Sequence, residues 1–403
     1  MRKIKKILSS MLVAAMTMSL LAGCGGSSDA DSSAASGSAD AATEADAEGT
    51  FYIGGIGPTT GAAAIYGTAV MNGAQIAVDE INAAGGINGY QIAYKFEDDV
   101  HDAEKSVNAY NSLKDWGMQI LMGTVTTNPC IAVGAETAAD NMFELTPSAS
   151  SADVIALGDN IFQVCFTDPN QGVASADYMA ENGLGTKIAV LYNSADVYSS
   201  GIYETFIEEA ESLGLDVVYE GTFTDDTKTD FSTQLQGAQA AGADLLFLPF
   251  YYTEASIVFQ QADAMGYDPI FFGVDGMDGI LTLEGFDTSL AEGVYLLTPF
   301  AADAEDEATV NFVTAYEEAY GETPNQFAAD AYDAMYIIKA AIEQAGVTPD
   351  MAISDICEAL KSAMTEIQID GVTGEGMTWD ASGAVSKGPR AVVIENGAYV
   401  SAE

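Results

Sequence analysis

Short apolar runs alternate with amphipathic segments along most of the chain from residue 51 onward. The run FYIGGIG at 51–57 predicts a buried strand, and the segment at 66–86 repeats apolar residues at helical spacing and ends in two glycines. The same alternation continues to residue 146, restarts near residue 170 and extends to residue 273. Strands and helices that alternate at this spacing predict parallel sheets with helices on both faces.

The two series predict two α/β lobes of similar build. After residue 300 the chain turns to helical patterns without intervening strands, at 307–321, 325–346 and 354–364. Such helices have no sheet of their own, so we expect them to pack back on an earlier lobe and the chain to cross between lobes more than once. Open α/β sheets bind ligands at the carboxyl ends of their strands, so the cleft between the lobes is the expected site.

The N-terminus has the pattern of a secretory signal. Four basic residues among the first six precede an apolar segment at 7–23, which is too short for a stable membrane span. The segment ends in LAGC at 21–24, which resembles a bacterial lipobox. This predicts a signal peptide at 1–23 and a lipid on Cys24. The alternative is an ordinary secretory signal with an incidental cysteine.

Residues 24–49 predict a flexible acidic linker. After Cys24 the stretch GGSSDADSSAASGSADAATEADAEG has no aromatic or large aliphatic residue, so it cannot bury enough surface to fold. A chain of this length reaches about 25–30 Å. Because two acyl chains hold a protein stably on a bilayer, we expect the folded body near the outer face of a membrane, attached only by the lipid.

Composition narrows the classes of partner. The length suggests about two domains, and a hydrophobic content of 48% is that of a folded protein. Asp and Glu number 60 against 13 Lys and Arg, for a net charge of −47. Such an acidic surface repels nucleic acid and anionic lipid, so neither is an expected partner.

Metal and nucleophile chemistry has little support in the sequence. The one histidine, His101, lies in the polar stretch DDVHDAEKS and is interpreted as a structural or surface residue. Cys130, Cys165 and Cys357 are far apart and form no Cys-x-x-Cys pair, so we predict no zinc site. A disulfide among these three cysteines stays open. No cofactor and no metal are expected.

Two stretches of the first lobe place hydroxyl groups where a strand gives way to a helix. They are LMGTVTTNPC at 121–130 and FELTPSASSAD at 143–153. A helix start has unsatisfied N–H groups and a partial positive charge, which hydroxyls reinforce. Neither stretch contains Lys or Arg, so the pattern suits a carboxylate better than a phosphate. The competing interpretation is ordinary helix capping.

The second lobe offers the opposite chemistry. Tyr251 follows a predicted strand in LPFYYTEAS, and Asp275 follows the next strand in FFGVDGMDG. An acidic residue at a strand end can receive a cation, although a core aromatic and a turn residue explain these two positions equally well. Hydroxyl donors on one lobe and a carboxylate on the other would suit a zwitterion, that is, an α-amino acid.

Several long motifs carry a resemblance that covers about residues 51 to 400. They are IGPTTGAAAIYGTAVMNGAQIAVDEINAAGGINGYQI, FEDD, LTPSAS, NIFQVCFTDPNQG, ADLLFLPFYYTEA and FFGVDGMDG. Together they resemble the branched-chain amino-acid-binding proteins of ABC importers, which have the type I periplasmic fold. The resemblance implies two similar α/β lobes, each a parallel-rich sheet with helices on both faces, at 50–167 plus 300–371 and at 168–299 plus 372–403. A hinge of several chain crossings would join them.

The resemblance also implies a role for each matching residue. The ligand carboxylate would be held by Thr127, Ser148 and Ser150, the ammonium by Tyr198, Tyr251 and Asp275, and the side chain by Tyr66, Val125 and Phe327.

Four positions depart from the family. A disulfide of some members falls on His101 and Thr126, where it cannot form. The usual serine is Thr127, and the glutamate of some members is the shorter Asp275, which leaves the identity of the ligand open.

The function implied by the resemblance is that of an extracytoplasmic amino-acid-binding lipoprotein without catalysis. It would act as a monomer and deliver a branched-chain or other apolar amino acid to an ABC permease and its ATPase subunits. One alternative keeps the fold but binds urea or short amides, or senses without transport. Another is a dinucleotide enzyme, but GGIGPTTG has Thr60 where the third glycine of the fingerprint would stand, and Glu97 lies too far downstream.

Overall fold

The structure is a computed structural model that describes residues 49–402. The predicted signal peptide at 1–23, the lipidated Cys24 and the linker up to residue 48 lie outside the described residues. Within the described part of the chain, no helix is long and apolar enough to cross a membrane.

Strands β1 to β5 form the first sheet, in the order β2-β1-β3-β4-β5, and all neighbours are parallel. These strands are Thr50–Gly57, Gln91–Asp98, Ile120–Gly123, Phe143–Thr146 and Ile161–Gln163. The helices α1 to α4 between them are Ala64–Ala83, Ala103–Trp116, Thr127–Asp140 and Ala152–Ile155. Strands β3 to β5 are buried along their whole length, as strands covered on both faces should be.

Strands β6 to β12 form the second sheet, in the order β12-β11-β10-β9-β8-β6-β7. Its parallel strands are β6 Ile188–Asn193, β7 Val217–Phe223, β8 Leu245–Leu248, β9 Ile270–Gly273 and β10 Tyr295–Thr298. Strands β11 (Arg390–Glu395) and β12 (Ala398–Ser401) add an antiparallel hairpin. The helices α5 to α8 are Asp168–Asn182, Val197–Leu213, Ser232–Ala241 and Tyr252–Met265. The predicted fold class is confirmed.

Three late helices pack with the first sheet and its helices rather than forming a unit of their own. They are α9 Glu307–Tyr320, α10 Gln326–Ala345 and α11 Ile353–Met364. Helix α10 contacts α1 along its length, and α11 contacts β4. A Cβ atom at Gly73 would lie 2.0 Å from the carbonyl oxygen of Ala328, so glycine at this position lets the backbones of α1 and α10 meet.

The chain passes between the two sheets at three places. The first passage lies between β5 and α5, and the second follows β10. The third leads to β11. Before it, Trp379 Nε1 donates to the carbonyl of Gln163 at 2.8 Å, and Gln163 N–H donates to the carbonyl of Gly383 at 3.0 Å, so this segment still contacts the end of β5. The limits of the two lobes stay a prediction.

Local sequence explains where the predictions of individual elements fell short. Helix α6 begins at Val197, six residues before the start predicted from the amphipathic pattern YETFIEEAESLG at 203–214, because Asp196 caps it by accepting from the Ser199 N–H. The segment between the two starts contains serine and glycine, which hide a helical pattern. Strands β5, β10, β11 and β12 were not predicted. β5 is three residues long, too short to show a period.

Candidate functional site

Most of the predicted site residues line one small cavity between the two sheets. Its lining consists of Tyr66, Val125, Thr126, Thr127, Ser148, Tyr198, Tyr251, Asp275, Gly276 and Phe327. The cavity volume is about 10 Å³, roughly the space of one water molecule. The structure therefore brings together eight of the nine predicted ligand-contacting residues, all except Ser150.

The first wall follows the carboxyl ends of β3 and β4. Thr127 begins helix α3, where the first N–H groups have no acceptor within the helix, and its hydroxyl makes no hydrogen bond to another described residue. Ser148 differs, because its hydroxyl donates to the carbonyl of Val125 at 2.7 Å. Thr127 is thus the better placed of the two to donate to an anion.

Ser150 lies outside the cavity. Its backbone carbonyl accepts from the Asp168 N–H at 2.9 Å, and its hydroxyl opposes the rise that burial causes in the pKa of the Asp168 carboxyl group. Both residues are buried where the chain first passes between the sheets. Ser150 therefore lies beside this passage and does not line the cavity, and its contact with a ligand stays a prediction.

The second wall carries the acidic group. Asp275 follows β9, and its carboxyl group accepts from the Tyr198 hydroxyl at 2.5 Å. Its backbone N–H donates to Gln171 Oε1 at 3.2 Å. Burial raises the pKa of Asp275 to about 7, although the Tyr198 hydroxyl and the Gln171 side chain act in the opposite direction. No Lys, Arg or His lines the cavity, so a cation that entered would be the natural counter-charge.

Aromatic rings close the cavity. The rings of Tyr198 and Tyr251 stack with centroids 4.9 Å apart, and Tyr66 meets Tyr251 edge-on at 5.5 Å. Phe327 lies against Tyr66 at 4.3 Å. The hydroxyl of Tyr66 donates to the carbonyl of Gly276, so a side chain on the first sheet's helix bonds the backbone that follows β9 in the second sheet. These rings form an apolar surface beside the polar walls.

Two residues of the lining were missed at the sequence level. Thr126 immediately precedes α3, and its hydroxyl hydrogen-bonds His101 Nδ1 at 2.9 Å instead of capping the helix, while Gly276 follows Asp275. A Cβ atom at Gly276 would lie 2.6 Å from the Tyr198 hydroxyl, so only glycine fits there. Both positions are next to predicted site residues in the sequence, and this was the one indication by which they could have been found.

His101 has a closer connection with the cavity than its polar sequence context suggests. Besides bonding Thr126, its ring meets the ring of Tyr251 edge-on at 5.7 Å. Burial lowers its pKa, so the imidazole is neutral at neutral pH. The structure thus gives His101 a supporting position between the two walls.

The geometry of the GGIGPTTG turn argues against a phosphate ligand. The Thr59 N–H donates to Asp98 Oδ1 at 2.9 Å, and the Thr60 hydroxyl donates to Asp98 Oδ2 at 2.5 Å. The donors that would hold a pyrophosphate are therefore engaged by a carboxylate of the same sheet, which would also repel it.

Other chemistries have no assembled site in the described residues. Across 49–402, no three or more His, Cys, Asp or Glu side chains are arranged to hold a metal ion. Cys130, Cys165 and Cys357 are buried free thiols, which resolves the disulfide question for these three.

A fold of two parallel-rich α/β halves with a cavity between them is that of a periplasmic binding protein. The family model described as "Periplasmic binding protein" matches residues 50–398, and this chain belongs to that family.

Individual relatives support this membership. A Leu/Ile/Val-binding protein homolog 3 of Brucella melitensis is 30% identical over 294 residues, which cover 73% of this chain and 78% of the relative. The isoleucine complex of the branched-chain amino acid transporter substrate-binding protein LivJ from Streptococcus pneumoniae has a TM-score of 0.79 and 28% identity, over 88% of this chain and 99% of LivJ. A benzoate-bound solute-binding protein of R. palustris has a TM-score of 0.77 over 88% of this chain and 95% of its own, but its 20% identity shows the fold alone.

Proposed function

We propose that this protein is the extracytoplasmic binding component of an ABC importer and that it binds an apolar α-amino acid in the cavity between its lobes. The observation that carries the proposal is the pairing of opposite chemistries: hydroxyl and N–H donors around Thr127, and the buried carboxyl group of Asp275 across the cavity. The Brucella and Streptococcus relatives, a Leu/Ile/Val-binding protein homolog and an isoleucine complex, support the same ligand class.

The first wall would hold the ligand carboxylate. Thr127 and the first N–H groups of α3 are donors at a helix N-terminus, which favours an anion. Each hydrogen bond to a charged group contributes about 1.5–3 kcal/mol. Ser148 would take part if its hydroxyl turned from the Val125 carbonyl toward the ligand.

The second wall would hold the ligand ammonium. Asp275 supplies the negative charge, and Tyr198 and Tyr251 supply hydroxyl oxygens and ring faces that also attract cations. Burial favours the protonated form of Asp275. An ammonium group beside it would favour the ionised form instead, so the carboxyl would release its proton when the ligand binds.

The ligand side chain would lie against Tyr66, Val125 and Phe327. All three are buried, and none offers a charge, so an aliphatic side chain fits better than a polar one. The cavity, about 10 Å³ in volume, is smaller than any amino acid. Binding therefore requires the two walls to separate, and closure over the ligand would bury it from water.

Transport requires partners beyond this chain. We propose that the closed, ligand-bound form docks as a monomer on a membrane permease whose ATPase subunits drive uptake. The lipid predicted on Cys24 would keep the protein at the outer face of the cytoplasmic membrane. Catalysis has no role in this scheme, and no cofactor is needed.

Ligands that lack one charge at a time test the proposal. We expect leucine and isoleucine to bind the full chain in isothermal titration calorimetry. Leucinamide, which has no carboxylate, and 4-methylpentanoate, which has no ammonium, should each bind at least about 30-fold more weakly, because each leaves one wall unpaired.

Two results would contradict the assignment. Tighter binding of 4-methylpentanoate than of leucine would indicate a simple carboxylate receptor. Binding of urea or acetamide without binding of leucine would favour the amide receptor. If the protein were a sensor without transport, it would bind leucine, but cells that lack it would take up labelled leucine as fast as cells that contain it.

A further inference from the structure

A second, larger groove lies beside the ligand cavity. Its volume is about 660 Å³, within the range of binding pockets for ligands and peptide segments. One side is formed by α1, α9 and the loop before α10, which pack on the first sheet. The other side is formed by residues 278–282 and by β12 of the second sheet. Both halves of the described chain thus supply walls.

The groove and the cavity are built from the same three segments. Residues Tyr66, Gly276 and Phe327 face the cavity, and Ile65, Gly279 and Asn325 face the groove. The halves touch at this partition, since a Cβ atom at Gly279 would lie 2.6 Å from Ile65 Cγ2. An occupant of the groove would therefore contact both halves beside the ligand.

The groove combines an apolar floor with an acidic rim. Its floor includes Ile65, Leu281, Val313 and Tyr316, and its rim carries Asp303, Glu317 and Glu322. The three rim residues are exposed, and no Lys, Arg or His lines the groove. This pattern matches an occupant with apolar side chains and positive charges.

The fourth acid of the lining, Asp278, has another role. It is buried, and its carboxyl oxygens accept from the N–H groups of Gly279 at 2.7 Å and Gln326 at 2.8 Å. Asp278 therefore holds the partition together, which leaves the rim acids to attract an occupant.

The edge strand of the second sheet borders this groove. Strand β12 ends the sheet and pairs only with β11 among residues 49–402, so the backbone groups on its other side have no strand partner there. Gly397, Ala398 and Tyr399 line the groove. The strand sequence AYVS has neither the charges nor the proline that commonly protect sheet edges from pairing.

We propose that the groove binds an extended peptide segment of a partner protein, which adds to the sheet beside β12. Its apolar side chains would lie on the floor, and its Lys or Arg side chains would pair with Asp303, Glu317 and Glu322. The free strand edge favours a peptide over a small amphiphile, because only a peptide backbone satisfies it. The inference goes beyond the proposed amino-acid binding and does not require it.

A labelled peptide tests the groove directly. The probe is a heptapeptide of alternating valine and lysine, acetylated, amidated and fluorescent, titrated in anisotropy with the full chain in detergent micelles. We expect saturable binding, and we expect Glu317→Gln/Glu322→Gln to weaken it by about tenfold through the loss of two charge pairs. A peptide of the same sequence with alternate backbone nitrogens methylated should not bind, since it cannot pair with a strand.

The matched control is Glu181→Gln/Glu318→Gln, which removes the same charge at exposed positions outside the groove. It should leave the affinity unchanged. Equal weakening by both double variants would mean that the acidic body attracts the peptide without a site, which overturns the proposal. Equal binding of the methylated peptide, or no binding of the parent peptide, would overturn it too. Slower hydrogen exchange at Ala398–Ser401 with the peptide bound is the supporting result.

Discussion

The two walls of the ligand cavity share an architecture but differ in chemistry. Each follows the carboxyl ends of parallel strands, β3 and β4 on one side and β8 and β9 on the other. The first wall presents neutral hydroxyl and N–H donors around Thr127, whereas the second presents the buried Asp275 with two tyrosines. The difference gives the cavity a direction, so a ligand with two opposite charges can lie in it in only one orientation.

Removing the charge of the second wall should have the largest effect. We expect Asp275→Ala to weaken leucine binding by about 3 kcal/mol, or about 150-fold, because the ligand ammonium would be buried without a counter-charge. Calorimetry on the full chain measures this change. If Asp275→Ala bound leucine as tightly as the parent, the proposal that the second wall holds the ligand ammonium would be wrong.

The pH dependence of binding tests the same wall without a mutation. Because burial raises the pKa of Asp275 to about 7, the carboxyl takes up a proton below that pH and must lose it to receive an ammonium. We expect leucine affinity to fall as pH decreases through 7. At about pH 5.5 it should be about 30-fold weaker than at a pH well above 7. Asp275→Asn should bind weakly with little pH dependence, and a parent profile as flat as that of the variant would argue against this carboxyl.

The ligand-free protein should show the opposite pH trend for this group. The folded state keeps the Asp275 proton up to about 7, whereas the unfolded chain loses it near its ordinary pKa of about 4. The contribution of Asp275 to stability is therefore present at low pH and is lost as pH rises through that window. Thermal unfolding of the parent and of Asp275→Asn, without ligand and at several pH values, measures how steeply the melting temperature of each depends on pH.

The neutral wall should be less sensitive to a single change. Thr127→Val keeps the shape but removes one hydroxyl donor, and the helix N–H groups remain, so we expect about a tenfold loss of affinity. Leucinamide is the matched ligand, since its binding should be nearly the same in the parent and in Thr127→Val. A loss of equal size for leucinamide would indicate a packing defect instead.

The smallest effect is expected at Ser150. Ser150 does not line the cavity, and its backbone carbonyl accepts from the Asp168 N–H, so Ser150→Ala should change leucine affinity by less than about twofold. The same change should lower the melting temperature, because it takes a polar neighbour away from the buried carboxyl group of Asp168. A large loss of affinity without a loss of stability would place Ser150 in the binding site after all.

Much of the fold was predictable because the strands and helices of parallel α/β units have recognisable patterns in the local sequence. Buried strands read as short apolar runs and amphipathic helices as a repeat of 3.6 residues, and both signals lie within a few residues of each other. The eight strands with such a pattern, β1 to β4 and β6 to β9, were predicted. Strands β10 and β11 pair with each other although they lie far apart in the chain, and this pairing is decided by packing rather than by local pattern.

The candidate site was predictable to the extent that its residues carry motifs. Thr127 and Ser148 follow strands in hydroxyl-rich stretches, and Asp275 stands at a strand end. Ser150 belongs to the same stretch as Ser148, but the chain turns it toward Asp168, and no local pattern records that turn. The role of His101 beside Thr126 and Tyr251 depends on residues from both halves of the chain, so sequence alone did not reveal it.

The sequence by itself determined the alternation of strands and helices, the acidic surface and the residues able to hold two opposite charges, because these depend on local period and side-chain type. The tertiary structure alone decided which of those residues share a cavity, how far burial raises the pKa of Asp275, and where a strand edge meets an acidic groove. The physical reason is that desolvation and side-chain contact depend on every segment packed around a group, including segments hundreds of residues away in the chain.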